Sequence, residues 1–311
     1  MKASIKGYIL AGVAAAAYGT NPAFAIPLYE EGMNPNSVLL FRYLLGLPML
    51  AILLKFRGMG FGLKRDEFFQ VGILGILMAF SSLALFESYN FLNAGVASTL
   101  LFVYPILVAV LMVFIFHEPF RISIILCLLL MTAGLILLMK PEAGENISSY
   151  GLLLVMVSAI TYALYIIMVN VSKTIQKIPT TRLLFYVLLW GTCVFVAKSL
   201  LGTPLTLPTG SGEWLSLFAL ALIPTAISLL CTTIAINLIG STPTAIFGSL
   251  EPVSAVILSY YVLHQPISGK EIFGGLLIVI ATTIVIGGAS VDKFLLSVRK
   301  MWPKPHHKVE K

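Results

Sequence analysis

Charge is what this chain has least of. Only 11% of its 311 residues are Asp, Glu, Lys or Arg, against ~25% in soluble globular proteins. Hydrophobic residues make up 59%, and the mean hydropathy is +0.98. That balance excludes a water-soluble globule and a disordered tail. Cysteine is scarce as well: Cys127, Cys193 and Cys231 each lie in an apolar run, with no CxxC pair and no His or Asp at ligand spacing. Neither a metal site nor a disulfide framework is expected, and His306 and His307 near the C-terminus do not change that. The chain has no Walker motif, dinucleotide fingerprint, HExxH, or Ser or Cys nucleophile with an evident base. ATP-driven and hydrolytic chemistry therefore lack residues, and no cofactor is implied. The net charge of +7 does not point to nucleic acid, because the basic residues fall in short segments between apolar runs and at the C-terminus, a membrane-surface distribution.

What the chain has is long apolar runs. About 20 apolar residues cross ~30 Å of hydrocarbon as a helix, and ten segments answer to this, near 7–28, 34–54, 67–90, 94–116, 121–139, 149–171, 180–201, 213–236, 241–263 and 269–290. The separators are short and carry breakers such as Asn34-Pro35, Glu118-Pro119, Pro179 and Gly240-Ser241-Thr242-Pro243. The sequence thus predicts an all-α integral membrane protein of ten transmembrane helices. The first segment has a basic start and an Ala23-Phe24-Ala25 stretch that could pass for a signal-peptidase site, but it is read as a retained helix because it has an internal counterpart. Of the twenty Lys and Arg residues, sixteen fall on the side that holds both termini, three (Lys140, Lys198, Lys270) on the other, and Arg42 within a span. Both termini are expected in the cytoplasm, in a multi-pass protein of the inner (plasma) membrane. The basic tail 291–311 is expected to touch anionic lipid headgroups.

Sliding the chain along itself by 144 to 147 residues aligns Gly7, Tyr18 and Phe41 with Gly151, Tyr162 and Phe185, and Ser81, Asn90, Pro105, His117 and Pro119 with Ser228, Asn237, Pro252, His264 and Pro266. The expected organisation is one five-helix repeat over 1–140 and a second over 141–290. An odd number of spans per repeat inverts the second copy. Two inverted halves are the mark of alternating access around a site near the bilayer midplane.

With Tyr18-Gly19-Thr20-Asn21-Pro22, Phe41-Arg42-Tyr43, Ala94 to Pro105, Ala245 to Val253, His264-Gln265-Pro266-Ile267 and Gly274-Gly275 in place, the chain resembles the EamA-type transporters of the drug/metabolite transporter superfamily over nearly its whole length. The resemblance implies ten helices, a central cavity, and movement of small organic metabolites, often outward. One departure is visible: the turn after helix four reads His117-Glu118-Pro119, but its counterpart has Gln265 in place of the glutamate.

Three ionisable residues are read as lying deep within spans, where each costs on the order of 3 kcal/mol: Arg42, Glu87 and Glu251. Glu251 directly precedes Pro252, whose missing N–H frees a carbonyl nearby. It reads either as a titratable group facing the cavity or as a carboxylate that satisfies helix ends. Arg42 is expected to pair with Glu87 or to anchor a substrate carboxylate. Further candidates for substrate binding or coupling are Tyr18 and Asn21 on helix one, Asn90 beside Glu87, Tyr104, which aligns with Glu251 across the repeat, Ser158, Tyr162 and Tyr165 on one face of helix six, and Asn237. For Asn21 and Tyr162, cavity lining and interhelical hydrogen bonding both stand. Pro105 and Pro252 are hinge candidates. His117 and His264 flank helix ends and are read as caps.

The leading expectation is a secondary transporter for a small organic or amphipathic molecule, with protons as a candidate coupling ion, membrane lipids as neighbours, and a monomer sufficient because both halves are present. A lipid or lysolipid flippase on the same scaffold is the alternative, favoured by a cavity that opens sideways to lipid. An intramembrane enzyme would need a buried His, Asp or Ser cluster, and none is visible.

Overall fold

Backbone groups that leave water must find partners within their own segment, and the apolar runs do so as helices. The computed structural model describes residues 2–92, 94–119, 121–138, 148–263 and 268–287, and every regular element among them is helical. In chain order these are α1 (Lys2–Tyr18), α2 (Asn21–Glu30), α3 (Pro35–Phe56), α4 (Arg65–Ser88), α5 (Ala94–Leu101), α6 (Tyr104–Phe114), α7 (Ile122–Leu138), α8 (Ser149–Val171), the short α9 (Lys173–Gln176), α10 (Thr180–Leu200), α11 (Ser211–Leu220), a π-helical segment (Ala221–Ile227), α12 (Ser228–Ile239), α13 (Ser241–Gly248), α14 (Leu250–Leu263) and α15 (Gly269–Ile286).

Local chemistry sets several of the ends. Asn34 caps α3 by accepting from the Ser37 N–H at 2.9 Å, and Pro35 follows at the first helical position, where no N–H is needed. Ser268 and Glu271 cap α15 reciprocally: the Ser268 hydroxyl accepts from the Glu271 N–H at 3.3 Å, and the Glu271 carboxylate accepts from the Ser268 N–H at 2.8 Å. Beyond α6, His117 adopts a left-handed φ of 55°, and the next N–H, of Glu118, donates back to the Met112 carbonyl at 3.0 Å. The left-handed residue lets the chain turn back over the end of α6 and give that carbonyl a donor. His264, Gln265 and the tail 291–311 lie outside the described residues.

Among the described residues, seven stretches are long and apolar enough to cross a membrane: Ala3–Glu30, Pro35–Phe56, Arg65–Ser88, Ser149–Val171, Thr180–Leu200, Ser211–Ile239 and Gly269–Ile286. Thr99–Phe114 and Ile122–Leu138 are apolar but shorter. The expectation of ten spans is therefore met by length in seven places. The other three expected spans, 94–116, 121–139 and 241–263, are helical over the parts described, as α5 and α6, α7, and α13 and α14. The outward faces carry exposed Phe56, Phe114, Leu129 and Ile136, a surface suited to lipid and not to water. Inside, α1 packs on α12, α4 on α8, α3 on α10, and α7 on α15.

A cavity where interrupted helices meet

Two of the interruptions bring backbone and side chains together at one place. At the first, between α1 and α2, the Gly19 N–H still reaches the Ala15 carbonyl at 2.9 Å, and the Thr20 hydroxyl donates to Ala17 at 2.8 Å. Pro22 then opens α2 without an N–H to satisfy. At the second, between α13 and α14, the Ser249 hydroxyl and N–H both donate to the Ile246 carbonyl, at 2.7 and 3.1 Å. The two breaks face each other so closely that a Cβ on Gly19 would lie 2.6 Å from the Glu251 carbonyl oxygen and 2.2 Å from the Ser254 hydroxyl. Only glycine fits this crossing. The third interruption precedes Tyr104, whose hydroxyl donates to the Ala245 carbonyl at 3.3 Å and occupies the hollow left by the missing side chain of Gly248.

Beside these crossings lies a small cavity, with room for little more than a water molecule, lined by Tyr18, Tyr104, Tyr162, Ile166 and Glu251, by Ala11, Ala14 and Ala15 of α1, and by Ser228, Thr232, Thr244 and Gly248. The Tyr104 and Tyr162 rings meet edge to face, 4.9 Å between centres, and Tyr165 stacks behind Tyr162 at 6.2 Å, itself fully buried. Among the described residues the Glu251 carboxylate has neither a hydrogen-bond partner nor an ion pair. The charge that acts on it is that of Arg42.

Arg42 sits in an adjoining cluster and is 1% exposed. Its Nε donates to the Thr225 hydroxyl, Nη1 to Asn21 Oδ1 at 3.0 Å, and Nη2 to the Pro224 carbonyl at 3.3 Å. The guanidinium also lies 6.0 Å from the Tyr18 ring centre and 5.7 Å from that of Phe86, within cation–π range. The π-helical segment makes this possible: Pro224 cannot donate, so the helix widens and leaves a carbonyl and a hydroxyl at the depth of Arg42.

The expected pairing of Arg42 with Glu87 does not form. Glu87, one residue from the end of α4, pairs with Lys198 near the end of α10 and accepts from the Asn90 amide at 3.4 Å. Lys198 reaches Glu87 at the helix ends, and the π segment supplies Arg42 from the other side. Outside the spans, desolvation and then a hydrogen bond shared with Glu213 hold the Glu31 carboxyl above its ordinary range.

Of the residues expected at the site, Tyr18, Tyr104, Tyr162 and Glu251 share the cavity, and Asn21 serves Arg42. Ser158 is used in packing, exchanging hydrogen bonds with Ser81 of α4, its hydroxyl donating to the Ser81 carbonyl at 2.8 Å. Glu87 and Asn90 stand apart from the cavity, and Asn237 is exposed on the last turn of α12. Pro105 and Pro252 each follow a helix break closely. The sequence reading missed Thr225, Pro224, Thr232 and Thr244. A proline followed by a hydroxyl in mid-span was the available signal for the first two, and the i, i+4 spacing of Ser228 and Thr232 for the third.

A family model described as the EamA-like transporter family matches residues 5–140 and again 149–287. The chain belongs to this family. An "Uncharacterized transporter" of Archaeoglobus fulgidus is 24% identical over 193 residues, covering 62% of this chain and 67% of that one. A solved crystal structure superimposes on this EamA-family chain with a TM-score of 0.76 at 19% identity, across 94% of this chain and 99% of that one. Likeness at that identity shows the fold alone.

Proposed function

We propose that this EamA-family membrane transporter is a secondary transporter that moves a small organic metabolite or drug-like amphipathic molecule by alternating access. The observation that carries the reading is the cavity itself, where interrupted helices meet around a carboxylate, Glu251, that has no partner among the described residues. Irregular backbone is tolerated at that depth only where it is buried in protein or lines such a cavity. On this reading α5–α6, α7 and α13–α14 complete ten spans in two inverted halves, 1–140 and 141–290.

Several observations support that symmetry. The packing of α4 on α8 has its counterpart in that of α12 on α1, and the packing of α6 on α8 in that of α13 and α14 on α1. A Cβ on Gly7 would meet Ile239 at 2.6 Å, and one on its repeat mate Gly151 would meet Leu92 at 2.7 Å. Leu92 and Ile239 are related by the same offset as Asn90 and Asn237. The family model also falls twice on the chain, once in each half. The distribution of Lys and Arg supports cytoplasmic termini in the inner (plasma) membrane. Outward movement is proposed on the likeness to the family alone.

Glu251 is the residue proposed to carry a coupling proton, with Tyr18, Tyr104 and Tyr162 as the titratable groups around it and Arg42 as the nearby charge. In liposomes that hold the purified protein, Glu251→Gln is expected to abolish the pH dependence of substrate flux, whereas Glu87→Gln retains it. Wild-type, pH-dependent flux in Glu251→Gln would remove the carboxylate from the coupling step.

One observation favours flippase activity as a second reading. A largely apolar groove lies between α6, α7 and the start of α13, lined by Val110, Phe114, Ile125 and Leu128 with Glu118 and Arg121. It shares no lining residue with the central cavity. Movement of labelled phospholipid between leaflets by the reconstituted protein would put this reading first.

A further inference from the structure

The groove between α6, α7 and the start of α13 carries charges that the protein leaves largely unused. Its walls are apolar, and Val110, Phe114 and Ile125 are also exposed, so it opens on the surface that meets hydrocarbon. On the proposed orientation, with both termini cytoplasmic, the end of α6 and the beginning of α7 place it in the cytoplasmic leaflet. Two opposite charges also line it, Glu118 and Arg121. They stand three positions apart in the chain and do not pair with each other. Glu118 Oε2 accepts from the Thr242 hydroxyl at 3.1 Å, which leaves Oε1 without a partner among the described residues. The Arg121 guanidinium makes no hydrogen bond or ion pair among the described residues, and it adjoins the N-terminal end of α7, where the helix dipole disfavours a cation. Neither capping nor an internal pair accounts for the arginine. A lone anion in the groove would meet Glu118 and a lone cation would meet Arg121, whereas a group that carries both charges satisfies each.

We infer that the groove holds a phospholipid of the cytoplasmic leaflet whose headgroup carries a phosphate and a primary ammonium. One acyl chain lies along Val110, Phe114, Ile125 and Leu128, the phosphate on Arg121 and the ammonium on Glu118. Lipid tails are as apolar as leucine, so the chain by itself gains little from leaving the bilayer, and the headgroup contacts decide which lipid is held. An arginine fork matches two phosphate oxygens, and an ammonium with N–H donors can hydrogen-bond a carboxylate, which a trimethylated one cannot. Ile239, Thr242 and Pro243 form the wall facing α6 and α7. The lipid therefore touches both halves of the sequence and favours the arrangement in which they meet. This site does not depend on the cargo of the central cavity.

The test uses the full chain in phosphatidylcholine nanodiscs that contain a little phosphatidylethanolamine with a photoactivatable diazirine in its acyl chain. Labelling is expected at Val110, Phe114, Ile125 or Leu128, above that at the exposed Leu153 and Ile160 of α8. Unlabelled phosphatidylethanolamine should compete at least about tenfold better than phosphatidylcholine or phosphatidylglycerol of the same chains. Arg121→Ala and Glu118→Gln should each lower groove labelling to the level on α8. Val110→Trp, which fills the groove and keeps both charges, should do the same. The wild-type melting temperature should be higher with phosphatidylethanolamine than without it, and the difference should vanish in Arg121→Ala.

Equal or stronger competition by either of the other lipids, groove labelling no greater than on α8, or full labelling in both charge variants would mean ordinary lipid contact and overturn the inference. Movement of phosphatidylethanolamine between leaflets that stops in Arg121→Ala would make the lipid a cargo. That outcome also overturns a resident lipid, and it puts the flippase reading first.

Discussion

Arg42→Ala is expected to lower the stability of the folded protein by about 3 to 5 kcal/mol, the cost typical of deleting a large buried side chain. Two contributions add. The Asn21 amide oxygen and the Pro224 carbonyl lose their donor at membrane depth, at about 1 to 3 kcal/mol for each acceptor left dry. Thr225 suffers less, because its hydroxyl still donates to the Leu220 carbonyl at 2.7 Å. The vacated volume between Tyr18 and Phe86 adds a cavity term. Arg42→Met refills much of that volume and should recover part of the loss, and Arg42→Lys should recover less than a charge-only role would predict, since one ammonium cannot reproduce three donors fixed in a plane. Unfolding in detergent micelles measures the order. A variant of wild-type stability that had lost only the binding of carboxylate ligands would instead mark Arg42 as a substrate anchor.

Most of the helical content was legible because it rests on composition: an apolar run of about 20 residues has few alternatives in lipid. The candidate residues Tyr18, Tyr104, Tyr162 and Glu251 were legible for a related reason, since polar or aromatic groups at spacings shared by two repeats stand out against leucine and isoleucine. The partner of Arg42 was not legible. It depends on a π-helical widening at Pro224 that turns backbone and hydroxyl toward α3, and nothing in a one-dimensional pattern distinguishes that from a simple proline kink. Pairing Arg42 with Glu87 by depth and charge overlooked Lys198, which entered the reading only as one of three basic residues on the side opposite the termini; it sits near the end of α10, and its amine reaches Glu87. The interruptions near Val103 and Ser249 were not legible either, because periodicity reports where a helix can form, while a break at a crossing is imposed by the neighbouring backbone.

The crossing of Gly19 with α14 yields the second large effect. Gly19→Ala places a methyl 2.2 Å from the Ser254 hydroxyl and 2.6 Å from the Glu251 carbonyl oxygen. The hydroxyl can be removed, but the carbonyl cannot, so α1 and α14 must separate at the point that positions Glu251. A loss of about 3 kcal/mol is expected, at the upper end for overpacking, together with loss of ligand binding, and Ser254→Ala should restore little of either. Gly248→Ala makes an instructive contrast. Its methyl meets only Tyr104, at 1.8 Å from the hydroxyl oxygen and 3.1 Å from the ring carbon that bears it. Tyr104→Phe removes the hard contact, and the double variant should be more stable than Gly248→Ala alone by about 1 to 2 kcal/mol, a coupling of the size found between touching residues. Full rescue of Gly19→Ala by Ser254→Ala would mean that the two backbones are not held in contact and that the position of Glu251 is set elsewhere.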